Sequence, residues 1–154
     1  MRNLLKMSAR RPLVVGLTLA VTLTSGVVVA SQTSANAAPP ACRGATCSGK
    51  DPDAAGCGRD AVTTAQKPFG FQAPGKPERW IQLRYSSACQ ANWARVVDRR
   101  GTWTTISVYN NRGEHRDNWR GSTRKMWTPM VNGLVLAQAC TDDAFGDNVC
   151  TNWA

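Results

Sequence analysis

The sequence predicts a mainly β fold, a small disulfide-braced antiparallel β domain with an extended N-terminal arm. Three observations carry that expectation. Apolar residues alternate with polar ones over several segments downstream of residue 80, no segment sustains a helical period of useful length, and six cysteines follow an apolar leader.

The leader comes first. Met1 to Pro12 carries Arg2, Lys6, Arg10 and Arg11 and no acidic residue, Leu13 to Ala30 is largely apolar, and a polar stretch ends in Ala35-Asn36-Ala37. A positive segment, an apolar segment and a small-residue site are what a signal peptidase reads, so residues 1–37 are expected to be a signal peptide cut after Ala37. A retained membrane anchor is the alternative, but Thr18, Thr22, Thr24, Ser25 and Gly26 dilute the run. Arg10-Arg11 invites a twin-arginine reading, yet its surroundings fit that signal poorly. The expected product is a single secreted, extracellular domain, 38–154, with no membrane attachment after cleavage.

Residues 38–46 are expected to be an extended arm, opening with Ala38, Pro39, Pro40 and Ala41. Up to about Asp60 the chain is rich in Pro, Gly, Cys and Asp with almost no large apolar residue, so it must be stapled or docked. Lys67-Pro68 through Pro77 reads as a loop broken by Pro68, Pro74, Gly75 and Pro77. In Trp80 to Tyr85, Ile81, Leu83 and Tyr85 share one face of a strand, with Gln82 and Arg84 on the other. Asn92 to Val97 and the β-branched run Thr102 to Tyr109 are further strands, and Asn110-Asn111-Arg112-Gly113 is a turn. Asn132-Gly133 between the apolar runs Lys125–Val131 and Leu134–Cys140 predicts a hairpin with a type I′ turn, because both turn residues tolerate positive φ. Pro129 cannot donate to a ladder, so the first arm is expected either to lie at a sheet edge or to turn its proline amide position outward.

Cys42, Cys47, Cys57, Cys89, Cys140 and Cys150 all follow the leader, and an even set in an exported chain reads as a disulfide framework. Pairing is not legible from the sequence. A metal centre is not expected, since no C-x-x-C pair occurs and His115 is the one histidine. Of the 19 Lys and Arg, four lie in the leader, so the remainder carries 15 against 10 Asp and Glu. A net charge of that size favours anionic partners weakly and is not the footprint of a dedicated nucleic-acid binder.

Four separated motifs then stand in order: Cys47-Ser48-Gly49-Lys50-Asp51-Pro52, Gly56-Cys57-Gly58-Arg59-Asp60-Ala61, Leu83-Arg84-Tyr85-Ser86-Ser87-Ala88-Cys89 and Trp93-Ala94-Arg95. Over about Cys42 to Arg100 the chain resembles a domain-of-unknown-function family of small secreted proteins common in Streptomyces and other Gram-positive bacteria. The resemblance implies no known catalytic centre and no cofactor. It implies the adaptor subunit of secreted umbrella antibacterial toxin particles, which links a lectin-like subunit to a repeat-built toxin subunit, partly through its extended mature N-terminus.

The candidate sites are weighed against plainer readings. Glu114-His115-Arg116 offers acid–base groups for a secreted nuclease or other hydrolase, but adjacent residues of a strand point to opposite faces, so solvated residues of a loop or edge strand are expected. Of the six tryptophans, Trp93 and Trp127 lie in apolar strands and are expected in the core, while Trp119 and Trp153, in polar surroundings, are candidate partner contacts. Arg112, Arg116, Arg120 and Arg124 decorate a loop and strand surface that suits an acidic partner or an anionic polymer. Asp142, Asp143 and Asp147 lack the spacing of a calcium loop and suit a polar loop closed by a Cys140–Cys150 bridge. A protease inhibitor, presenting the Lys67 to Pro77 loop, shares the scaffold. The expected function is non-catalytic binding of other secreted proteins, with Ala38, Pro39, Pro40, Ala41, Trp119 and Trp153 as candidate contacts.

Overall fold

The computed structural model describes residues 38–70, 79–101, 104–120, 124–142 and 148–154. The expected leader, most of the Lys67 to Pro77 loop, and Asp143 and Asp147 lie outside them. A 3-10 helix, Gly44–Cys47, precedes the strands β1 (Val62–Pro68), β2 (Arg79–Ser86), β3 (Ala91–Asp98), β4 (Thr104–Asn110), β5 (His115–Arg120), β6 (Lys125–Trp127), β7 (Val131–Asn132), β8 (Ala137–Asp142) and β9 (Asn148–Cys150).

All of the pairings are antiparallel, in two sheets. One runs β1-β2-β3-β6 with β7 also on β3, and the other runs β5-β4-β8-β9. The expected mainly β, disulfide-braced architecture is what forms. The period-two pattern explains why: Ile81 and Leu83 of β2, Val96 of β3, and Ile106 and Val108 of β4 alternate with half-buried neighbours and meet, with Ala94, in one core. Ala137 and Ala139 of β8 close it from the second sheet, so the two sheets bury their inner faces against each other.

The Asn132-Gly133 hairpin does not form. Strands β6 and β7 both pair with β3 in the first sheet, whereas β8 pairs with β4 in the second, so Asn132-Gly133 is where the chain changes sheets. Neither Asn132 nor Gly133 has a positive φ. Glycine is required at 133 for another reason: a Cβ there would stand 2.8 Å from the backbone N, Cα and C of Ala91. The flanking apolar pattern suited a hairpin, but Val131 serves one sheet and Ala137 the other, with Leu134 and Leu136 left exposed between them. Pro129 falls in the break between β6 and β7 on the sheet edge, as its missing N–H demands. There the Thr128 hydroxyl accepts from the Ala94 amide at 3.1 Å, and the Thr128 amide donates to the Ala94 carbonyl at 3.0 Å.

The cysteines pair as Cys42–Cys47, Cys57–Cys89 and Cys140–Cys150. The third is the bridge suggested by the polar loop, and it joins register partners of β8 and β9. The first two surround a small second core with Ala55, Ala91, Trp93 and Met130. The arm is shorter than 38–46, because Gly44–Cys47 form the 3-10 helix and the Gly44 amide donates to the Cys89 carbonyl at 2.7 Å. Among the described residues no helix is long and apolar enough to cross a membrane.

Candidate functional site

The cysteine-rich segment before β1 earns its order from polar anchors. Asp51 Oδ1 accepts from the amides of Asp53 and Ala54, both at 2.9 Å, and Oδ2 accepts from Trp127 Nε1 at 3.0 Å. Asp60 accepts from Ser86 Oγ at 2.6 Å, Ser87 Oγ at 3.0 Å and the Ala88 amide at 2.8 Å. Burial alone raises the Asp60 pKa, but these hydrogen bonds outweigh it and hold the carboxyl below its ordinary value. The aspartates of two of the sequence motifs are thus structural fasteners.

Glu114 plays the same part. Its carboxylate accepts from Asn110 Nδ2 at 2.9 Å, the Asn132 amide at 3.0 Å, Arg116 Nη2 at 3.4 Å and Ser48 Oγ, joining the cysteine-rich segment to both sheets. His115 points the other way on edge strand β5, its ring stacked on Tyr109 with centroids 4.3 Å apart and its Nε2 2.6 Å from Asp117 Oδ1. Asp117 Oδ1 also accepts from Ser107 Oγ at 2.6 Å. That carboxylate stands between serine and histidine, whereas an activated serine needs the imidazole in the middle. Of the three residues weighed as an alternative nuclease cluster, Arg116 meets Glu114 but His115 turns away from both.

The four sulfurs of Cys42, Cys47, Cys57 and Cys89 lie within 4.8 Å of one another, the one described group with metal-like spacing. They are spent in two disulfides and present no thiolate to an ion.

The candidate contacts are scattered. Ala38, Pro39 and Ala41 are exposed and Pro40 is half-buried, while the Ala41 amide is already bonded to the Ala55 carbonyl at 3.1 Å. Trp153 is 47% exposed. Trp119 is paired with Thr105 in β5, and its side chain falls outside the described residues. Trp93 is buried as expected, but Trp127 is only half-buried, because its indole N–H is drawn to the surface carboxylate of Asp51.

Two concave surfaces stand out, and sequence reasoning missed both. The first is a cleft of about 490 Å³ bordered by Tyr85, Asn92, Arg112 and the segment Leu134-Val135-Leu136. Leu134 is 61% and Leu136 52% exposed, and Val62, the register partner of Tyr85, is 55% exposed. The second lies on the outer face of the first sheet, where alternation presents Arg84, Trp93 and Arg95 opposite to the core-facing Leu83, Ala94 and Val96. Cross-strand register sets Arg84 beside Trp93, and Arg95 between Gln82 and Trp127. The signal for this surface was present in the polar half of the alternation, which marks a solvent face but does not say what it binds.

No curated protein and no solved structure matches the chain. The model of one family, described as a protein of unknown function (DUF2690), matches residues 45–141. That span contains every one of the four motifs and runs from the 3-10 helix into β8, so the chain belongs to this family of unknown function.

Proposed function

We propose that the protein is exported, is cleaved after Ala37 and works outside the cell as a non-catalytic domain that binds other secreted proteins. The observation that carries this reading is the exposure of Leu134 and Leu136 along one cleft. Large aliphatic side chains held in water beside a concave surface mark a place where another polypeptide buries them. Each leucine that a partner covers contributes on the order of 1 to 2 kcal/mol, since about half of the side chain remains to be buried.

Three further facts support it. The disulfides suit an oxidising compartment. Glu114 and His115 face apart and are each engaged by structural partners. Ala38 and Pro39 remain exposed at the surface, where the Ala38 carbonyl accepts from Arg59 Nη1 at 3.4 Å. Within this reading the more specific role is that of an adaptor in a Streptomyces-type extracellular antibacterial toxin particle, joining a lectin-like subunit to a repeat-containing toxin subunit.

The test is affinity capture of the tagged mature protein from the medium of its secreting host, with mass spectrometry of what accompanies it. Large secreted subunits are expected with the wild type and are expected to be lost from Leu134→Ser/Leu136→Ser, whose melting temperature should be unchanged because both side chains lie outside the core. Recovery of a lone monomer from the wild type overturns the proposal.

A further inference from the structure

The outer face of the first sheet holds a notch of about 80 Å³ lined by Arg84, Arg95, Trp93, Trp127, Lys125 and Asp53. Its two guanidinium groups are half-buried, and their hydrogen-bonding partners are neutral. Arg84 donates from Nη1 to Thr63 Oγ1 at 2.7 Å and from Nη2 to the Ala61 carbonyl. Arg95 donates from Nε and Nη2 to Gln82 Oε1, at 2.8 and 2.6 Å. Among the described residues no acceptor takes Arg84 Nε or Arg95 Nη1.

Burial lowers the pKa of both arginines, and the charge of Arg84 lowers that of Arg95 further, with Asp53 opposing. Two like charges are therefore partly stripped of water side by side, oriented by neutral acceptors rather than neutralised by a bonded carboxylate. Such an arrangement is costly on its own and is relieved by an incoming anion, which gains charge-assisted hydrogen bonds from donors already in place.

Size and charge choose the anion. At about 80 Å³ the notch is far smaller than the 490 Å³ cleft and suits a single anionic group better than a sugar or nucleobase ring. Asp53, which also lines the notch, disfavours a dianionic phosphate more than a monoanionic carboxylate. The indole walls suit the methylene stem of the side chain that carries it.

We propose that this notch receives a glutamate side chain from an acidic segment of a protein partner. The proposal deepens the protein-binding reading above and rests on it, but it uses the opposite face of the first sheet from the cleft residues Tyr85 and Asn92.

The experiment is isothermal titration of the mature protein with an eight-residue oligoglutamate peptide and, separately, with single-stranded DNA of equal charge. Oligoglutamate is expected to bind and to lose at least tenfold in affinity in Arg84→Gln/Arg95→Gln, while Leu134→Ser/Leu136→Ser binds it like the wild type. If the double arginine variant fails to fold, Lys125→Glu decides in its place, with a loss of at least threefold expected. Absent oligoglutamate binding, affinity unchanged in the variant used, or DNA bound as tightly as oligoglutamate overturns the notch assignment. Because capture of subunits through Leu134 and Leu136 is read separately, failure of the notch with capture intact is distinct from failure of the binding reading itself.

Discussion

Asp60 and Gly133 show how single residues hold this fold. The Asp60 carboxylate gathers Ser86, Ser87 and the Ala88 amide at the turn between β2 and β3, and its pKa is depressed in consequence. A carboxyl with a depressed folded pKa contributes stability that is present above its unfolded value, about 3.9, and is lost as pH falls through the folded value. Asp60→Asn is therefore expected to flatten the acid side of the stability profile below about pH 4, as read from urea midpoints between pH 3 and 6. A variant whose midpoints fall with acid as steeply as the wild type's would contradict that role. Gly133 acts by absence of bulk. Gly133→Ala puts a methyl group against the Ala91 backbone, which has no side-chain freedom with which to yield, and is expected to cost about 1 to 3 kcal/mol. Denaturant unfolding measures it, and a loss under about 0.5 kcal/mol, the scale of an ordinary surface change, would show that the loop simply moves aside.

At the scale of elements, the cross-links do unequal work. Cys57–Cys89 spans a sequence separation of 32, Cys140–Cys150 of 10 and Cys42–Cys47 of 5. In the chain-entropy account the first contributes about 4 kcal/mol and the last about 2. Cys57→Ser/Cys89→Ser is accordingly expected to lower unfolding free energy by about 2 kcal/mol more than Cys42→Ser/Cys47→Ser. Equal losses would mean that Cys42–Cys47 acts through packing in the small second core rather than through the unfolded chain. The long bridge also ties the segment before β1 to the β2–β3 turn, beside the anchors that Asp60 makes to the same turn. The edge strand β5 carries His115, Arg116 and Asp117 in a row, a charged edge that discourages pairing with another chain.

At the scale of the described domain, the first sheet presents different chemistry on its two faces. Tyr85 and Asn92 are register partners on the side that leads to the apolar cleft, and Arg84 and Trp93, one position along, are partners on the side of the cationic notch. Two distinct surfaces on one rigid sheet are what a protein needs in order to hold two polypeptides at once, and they let the cleft and notch variants be read independently. The family to which the chain belongs assigns no activity, so these surfaces are the features that distinguish one function from another.

The sequence alone determined the β class, strands at Trp80–Tyr85, at Asn92–Val97 and within Thr102–Tyr109, the turn at Asn110–Gly113 and the disulfide framework, because alternation and cysteine count are local or compositional signals. It expected Glu114, His115 and Arg116 to be solvated, which suits the exposed His115 but not Glu114, a half-buried carboxylate that fastens three segments. Tertiary structure decided the rest. Which cysteines meet, that Asn132-Gly133 joins two sheets instead of turning a hairpin, and that Arg84, Arg95 and Trp127 share a notch all depend on cross-strand register. Register is set by the summed burial of both sheets and not by any stretch of sequence read by itself.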